Sequence, residues 1–161
     1  FCSTEAPVLI TVKSTVPTKG SIMITNQAGV VKLATTDITN SPMFYPAWGE
    51  GTYTITYNYN DGTCDAIYKE EVVVHPTPVI VFDMKDDYCY GEDVIITDVN
   101  YGGGNITIDP LLPPETLVGN KFKTEVSGLG VFTIGYEVHN EFGCVADANK
   151  TSKYVVCKIC L

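Results

Sequence analysis

The chain is short of the residues on which most catalytic and nucleic-acid-binding chemistry depends. It has only two histidines in 161 residues, His75 and His139, and no cysteine or carboxylate spacing recruits either into a ligand set. No Gly-x-Ser-x-Gly nucleophile elbow occurs, and Ser127-Gly128-Leu129-Gly130 reads instead as a glycine corner before a strand. The run Tyr101-Gly102-Gly103-Gly104-Asn105 lacks the lysine and helix start that would cradle a phosphate, so it reads as a hairpin loop. Basic residues are few: ten against nineteen acidic, for a net charge of −9 and a pI near 4.5. That balance repels phosphate backbones and anionic headgroups, so nucleic acid is not an expected partner. No apolar run approaches the roughly 20 residues of a membrane-spanning helix, so membrane insertion is not expected, and no basic, then apolar leader opens the chain. The first residue is Phe1, consistent with a processed end or a segment of something longer. These absences together predict a protein that is not an enzyme and carries no cofactor.

Long helical periodicity is also missing, and short β-branched and aromatic runs fill its place. Residues 49–64 read GEGTYTITYNYNDGTC, and residues 128–144 read GLGVFTIGYEVHNEFGC. The same device therefore recurs after 79 residues at its first glycine (128 minus 49) and 80 at its cysteine (144 minus 64). A period of half the chain predicts two tandem domains, residues 1–75 and 76–161, joined at His75-Pro76-Thr77-Pro78, where two prolines break the strand ladder. Strands are predicted at VLITVK (8–13), SIMIT (21–25), VVKL (30–33), TYTITYNY (52–59) and IYKEEVVV (67–74). In the second half they fall at VIVFDM (79–84), VIITDV (94–99), NITI (105–108), VFTIGYEV (131–138) and TSKYVV (151–156). Such spacing predicts an all-β chain of two immunoglobulin-like, PKD-like β-sandwiches. Alternation turns Tyr53, Ile55 and Tyr57 inward, with Phe132, Ile134 and Tyr136 at the matching positions.

Six cysteines allow fifteen pairings. The repeat aligns CSTEAPVLITV with CYGEDVIITDV, so Cys2 matches Cys89 and Cys64 matches Cys144. From that equivalence the expected bridges are Cys2 to Cys64 and Cys89 to Cys144, one per domain, formed in an oxidising compartment. Cys157 and Cys160 lack the second ligand pair of a zinc ribbon and the helix of a redox motif. A local disulfide, the edge of a further repeat and a bridge between copies of the chain all remain open for them.

The aromatic-Cys openings Phe1-Cys2 and Tyr88-Cys89, with the stretch 49–64, resemble the tandem immunoglobulin-like and PKD-like repeats of large secreted surface adhesins of gliding bacteria. In those repeats such an opening and a GxGTYTITYxYxDxxGC-like stretch recur. The resemblance implies export, a place on a cell surface or filament, and contact with other copies, neighbouring repeats, cells or glycans. The second unit departs from the pattern: Phe132 stands where the motif has tyrosine, and GGGN and LLPPET are inserted.

The expected function is a non-enzymatic extracellular repeat segment, stalk or adhesive module of a cell-surface protein. The alternatives are a subunit of a head-to-tail extracellular filament and an accessory domain of a secreted hydrolase. Two features are candidate sites. Asp83, Asp86, Asp87, Glu92 and Asp93 beside the linker offer hard oxygens to calcium, although Lys85 interrupts them, the spacing is not that of an EF-hand, and acidic faces ordinarily serve solubility. In MFYPAW (43–48), Phe44 aligns with Phe122 as core, leaving Tyr45 and Trp48 as contact candidates for a sugar or a partner.

Overall fold

The structure, a computed structural model, describes residues 1–13, 19–40, 42–80, 85–92, 94–95, 104–109, 112–113, 117–118 and 121–157. The chain divides into unit 1, Phe1–Thr77, and unit 2, Pro78–Leu161, and in both the regular structure of the described residues is nearly all strand.

In unit 1 the glycines of the repeated motif start the main strand. Gly49 and Gly51 have φ of +117° and +127°, a backbone region that side-chain-bearing residues resist, and β5 (Gly51–Asn60) leaves from that corner. It is the spine of a sheet in the order β3-β2-β5-β6, with β2 at Ser21–Asn26, β3 at Val31–Thr35 and β6 at Asp65–Val74. All neighbours run antiparallel, with Ile22 opposite Tyr57 and Gly51 opposite Val74. A small second sheet pairs β1 (Val8–Leu9) with β4 (Met43–Phe44). Phe44 from the small sheet and Ile22, Ile24, Tyr53 and Val74 from the large one close on each other as the core. The expected strand over 8–13 is thus shortened to two ladder residues. Pro42, just before β4, has no N–H to donate, although its carbonyl still accepts from the Ile10 N–H at 2.8 Å. Ile10 and Val12 nevertheless keep the alternation and pack on the core.

Unit 2 repeats the plan. Its large sheet runs β7-β13-β12-β9, with β7 at Asp87–Cys89, β9 at Asn105–Asp109, β12 at Gly130–His139 and β13 at Val145–Val155. Its small sheet runs β10-β11-β8, with β8 at Val94–Ile95, β10 at Leu117–Val118 and β11 at Lys121–Phe122. One helical turn, α1 (Thr124–Ser127), takes the place of the 3-10 turn Pro46–Trp48 of unit 1. Val94, Phe122, Phe132, Ile134, Tyr88 and Tyr154 form the core. The inward row Phe132, Ile134, Tyr136 is buried as expected, and Tyr53 is buried too, whereas Ile55 and Tyr57 are only half-buried.

Sequence reasoning began the last strand at residue 151, but it starts at Val145. Ala146 and Ala148, on its inner face, carry no β-forming signal, and the ten-pair ladder with β12 holds them in the strand. The expected strand 79–84 falls partly on residues 81–84, and that over 94–99 partly on 96–99, which lie outside the described residues.

Candidate functional site

The repeat alignment of the cysteines holds in space, but the pairing drawn from it does not. Cys2 forms a parallel bridge with His75, just beyond the last residue of β6, and Cys89 pairs in parallel register with Val155, the last residue of β13. Cys64 and Cys144 each close the turn before the same strands. In each unit, therefore, the opening cysteine and the turn cysteine sit at opposite ends of a strand ten or eleven residues long. At about 3.3 Å per residue that is about 30 Å, against the 7 Å or less between Cα atoms that a disulfide spans. Cys2 to Cys64 and Cys89 to Cys144 are thus corrected.

The parallel register carries Cys157 alongside Cys89, and these two are bonded, with their Cα atoms 5.3 Å apart. Cys2 and Cys144 are also disulfide-bonded, while Cys64 is a free, exposed thiol. The expectation of one bridge within each unit is met in unit 2 alone. In unit 1 the place of the Cys89–Cys157 bond is held by hydroxyls: Ser3 Oγ donates to Thr77 Oγ1 at 3.2 Å, and Thr4 Oγ1 lies 2.9 Å from the same atom. Cys160 lies outside the described residues.

The two cysteine turns share one construction. Asp61 Oδ1 accepts from the N–H groups of Thr63 and Cys64 at 2.9 and 2.8 Å, and Asn140 Oδ1 accepts from those of Phe142 and Cys144 at 3.1 and 2.9 Å. The Cys64 and Thr63 amides, followed by the Tyr59 hydroxyl, hold the Asp61 carboxyl below its usual range. The same Asp61 pushes the Tyr59 phenol upward by accepting its hydrogen bond.

The aromatic candidates separate. Trp48 is half-buried and leans on the core, its ring 5.5 Å edge-on from Phe44 and 6.1 Å from Tyr53, while Tyr45 stays exposed at 5.4 Å from Trp48. Unit 1 also has an open end that the sequence reading missed. Tyr57, Tyr59, Ile67 and Tyr68 with Lys13 and Glu70 border a groove of about 920 Å³. Ile67 and Tyr68 are 69% and 62% exposed, and the Tyr68 hydroxyl donates to Glu70 at 2.5 Å. A signal was present: Glu70 stands opposite Ile55 on the inner face, and a carboxylate there marks an end that the described residues of the sandwich do not bury.

Among the described residues, the acidic candidates Asp86, Asp87 and Glu92 do not come together. Glu92 is engaged by Lys85 and by the Cys89 N–H, and these two contacts hold its carboxyl below the usual range. Asp86 lies 3.3 Å from Lys150 and is largely exposed, and Asp87 is exposed on β7. Among the described residues no three histidines, cysteines or carboxylates converge as a metal site; Asp83 and Asp93 lie outside them. His139 sits 3.0 Å from Glu137 on the exposed face of β12. Among the described residues no helix is long and apolar enough to cross a membrane.

No family model matches the sequence, and no curated protein is similar to it. Among solved structures, extracellular domains 3–5 of Drosophila OTK are similar at 12% identity and a TM-score of 0.33, over 94% of this chain and 59% of that one. The chain thus spans less than two thirds of that protein chain, and a likeness this distant carries no functional argument.

Proposed function

We propose that the chain is a non-enzymatic extracellular repeat segment, a stalk or adhesive module of a cell-surface protein of the kind the gliding-bacterial adhesin repeats exemplify. One observation supports this above the others: the motif that the sequence doubles is scaffold in both units. Gly49 and Gly128 turn the corner, Tyr53 and Phe132 fill the core, and the turn cysteines end the hairpin. A doubled scaffold is what modular repetition produces, and the Cys89–Cys157 bond suits an oxidising compartment. Its partners are neighbouring repeats or other copies, with glycans or cell surfaces as adhesive targets, and Tyr45 is, of the two contact candidates, the accessible ring.

Beads coated with the 161-residue protein test the reading. Retention on cells, immobilised glycans or glass is measured under flow, and the extension of single tethered molecules under load is recorded alongside. Retention above uncoated beads, or unfolding steps under load from both units, is the expected result. Beads that bind nothing, on a chain that extends without a resisting step, overturn it.

A further inference from the structure

The last strand of unit 1 is bare along most of its outer edge. β6 ends its sheet, β5 is the one named strand paired with it among the described residues, and the bridge from Cys2 to His75 meets only its far end. There the Phe1 ammonium donates to the Val73 carbonyl at 3.0 Å, so the backbone groups of Val73 face away from β5. Strand alternation turns the N–H and C=O groups of Ile67, Lys69 and Glu71 to the same outer side, where no strand among the described residues meets them. The side chains do not shield this edge. Every residue from Asp65 to Glu71 is exposed, Ile67 and Tyr68 among them. A long, exposed, partly apolar edge is a template for pairing with another chain.

We propose that this edge joins two copies of the chain, β6 against β6, antiparallel about a two-fold axis at Glu70. Charge selects that register. With Glu70 opposite Glu70 of the second copy, Lys69 stands opposite Glu71, Tyr68 opposite Val72 and Ile67 opposite Val73, and the symmetry repeats each pair. Lys69 and Glu71 both turn their backbone groups outward, so each of their pairs exchanges two hydrogen bonds. Val73, whose carbonyl already accepts from Phe1, keeps its N–H for the Ile67 carbonyl of the second copy. The neighbouring registers are poorer. Centring on Lys69 sets Lys69 on Lys69 and Ile67 against Glu71; centring on Glu71 sets Glu71 on Glu71 and Lys69 against Val73; centring on Tyr68 sets Asp65 against Glu71. Opposite charges directly across a strand pair stabilise it and like charges destabilise it, so the strand is complementary to itself in the Glu70 register. The opposing term is the pair of Glu70 carboxylates on the axis, each accepting from its own Tyr68 hydroxyl. Beside them Tyr68 and Val72 of the two copies extend the apolar surface that Ile10 and Val12 give the groove. An isologous contact of this kind consumes the edge and closes at two copies. The inference deepens the reading of other copies as partners, on which it rests, by naming the surface through which they meet.

The test uses the whole 161-residue chain with C64S, which removes the exposed free thiol as a cause of association. Sedimentation over a range of concentrations is expected to show monomer and dimer and nothing larger. Amide exchange of Lys69 and Glu71 should slow as the dimer fills, while that of Tyr68 and Glu70, turned toward β5, stays as it was. Lys69→Glu and Glu71→Lys should each weaken the dimer on the order of tenfold, the double reversal should restore it, and Glu70→Gln should tighten it. Trp48 fluorescence checks that each variant is folded, and the exchange measurement on the unaltered edge depends on no variant. A chain that stays monomeric at every concentration, a series that grows past two copies, or a dimer whose Lys69 and Glu71 amides exchange as in the monomer overturns the pairing. A folded double reversal as weak as the single ones overturns the register. None of these outcomes decides the stalk or adhesive reading, which the bead and tether measurements test separately.

Discussion

The hydroxyl of Tyr53 donates to the carbonyl of Gly49 at 2.9 Å, tying the core aromatic to the glycine that opens its own strand. Phe132 fills the same place in unit 2 without a hydroxyl, so the two units separate the packing of this corner from its hydrogen bond. Tyr53→Phe is expected to cost unit 1 about 0.5–1.5 kcal/mol for the lost bond, and Tyr53→Ala about 3–5 kcal/mol for the lost ring. Trp48, the only tryptophan, lies 6.1 Å from Tyr53 and reports the transition by its fluorescence in urea. An unchanged midpoint in Tyr53→Ala would place the ring outside the core.

The Cys89–Cys157 bond closes a loop of 68 residues, which in the chain-entropy account removes about 4 kcal/mol of denatured-state freedom. Cys157→Ser is therefore expected to lower hydrogen-exchange protection across β12 and β13 by an amount of that order. Cys64→Ser, at an exposed and unbonded position, should change stability by no more than about 0.5 kcal/mol. Equal losses in both variants would mean that Cys64 is bonded after all.

The spine strands were legible because two signals coincided there: glycines requiring positive φ, followed by strict alternation of aromatic and polar residues. The edge pieces were not. β4, β7, β10 and β11 are two or three residues long, too short for any period, and they exist because a neighbouring strand supplies their hydrogen bonds. The cysteines failed for a related reason. Alignment established which positions correspond, but which sulfurs meet depends on the parallel pairing of β7 with β13, a long-range contact that leaves no local trace. The compensations between units were equally hidden. Val74 and Tyr154 both stand opposite the glycine that opens the spine strand, and the tyrosine supplies in unit 2 the bulk that Trp48 supplies in unit 1.

Acid should loosen the turn of unit 1 and leave that of unit 2 alone. Asp61 is held below its usual range by the Cys64 and Thr63 amides, so its folded value lies under its unfolded one. The stabilisation it gives is present in full above the unfolded carboxylate range and is lost as pH falls through the depressed folded value. Asn140 makes the same pair of bonds without a titrating group. Amide exchange of Thr63 and Cys64, followed by NMR as pH is lowered, is expected to rise relative to that of Phe142 and Cys144. Asp61→Asn should remove the difference. A parallel response in both turns of the unmodified protein would assign the acid effect to some other carboxylate.

Tyr154 presents the opposite case to Tyr53. Its ring stacks 5.3 Å from Phe122 and 5.6 Å from Tyr88, yet its buried hydroxyl has no hydrogen-bond partner among the described residues. Burial, with the nearby Tyr88 adding to it, raises its phenol far above the ordinary range, so the group is a neutral O–H near neutral pH. A polar group taken out of water without a partner costs about 1–3 kcal/mol, and removing it alone leaves the stacked ring in place. Tyr154→Phe is therefore expected to stabilise unit 2 by about 1 kcal/mol, the reverse of Tyr53→Phe in unit 1, whereas Tyr154→Ala should cost about 3–5 kcal/mol as a cavity. Hydrogen-exchange protection of β12 and β13 amides measures both changes. Destabilisation by Tyr154→Phe would show that the hydroxyl is satisfied in solution, and the same data would locate its partner among the amides whose protection falls with it.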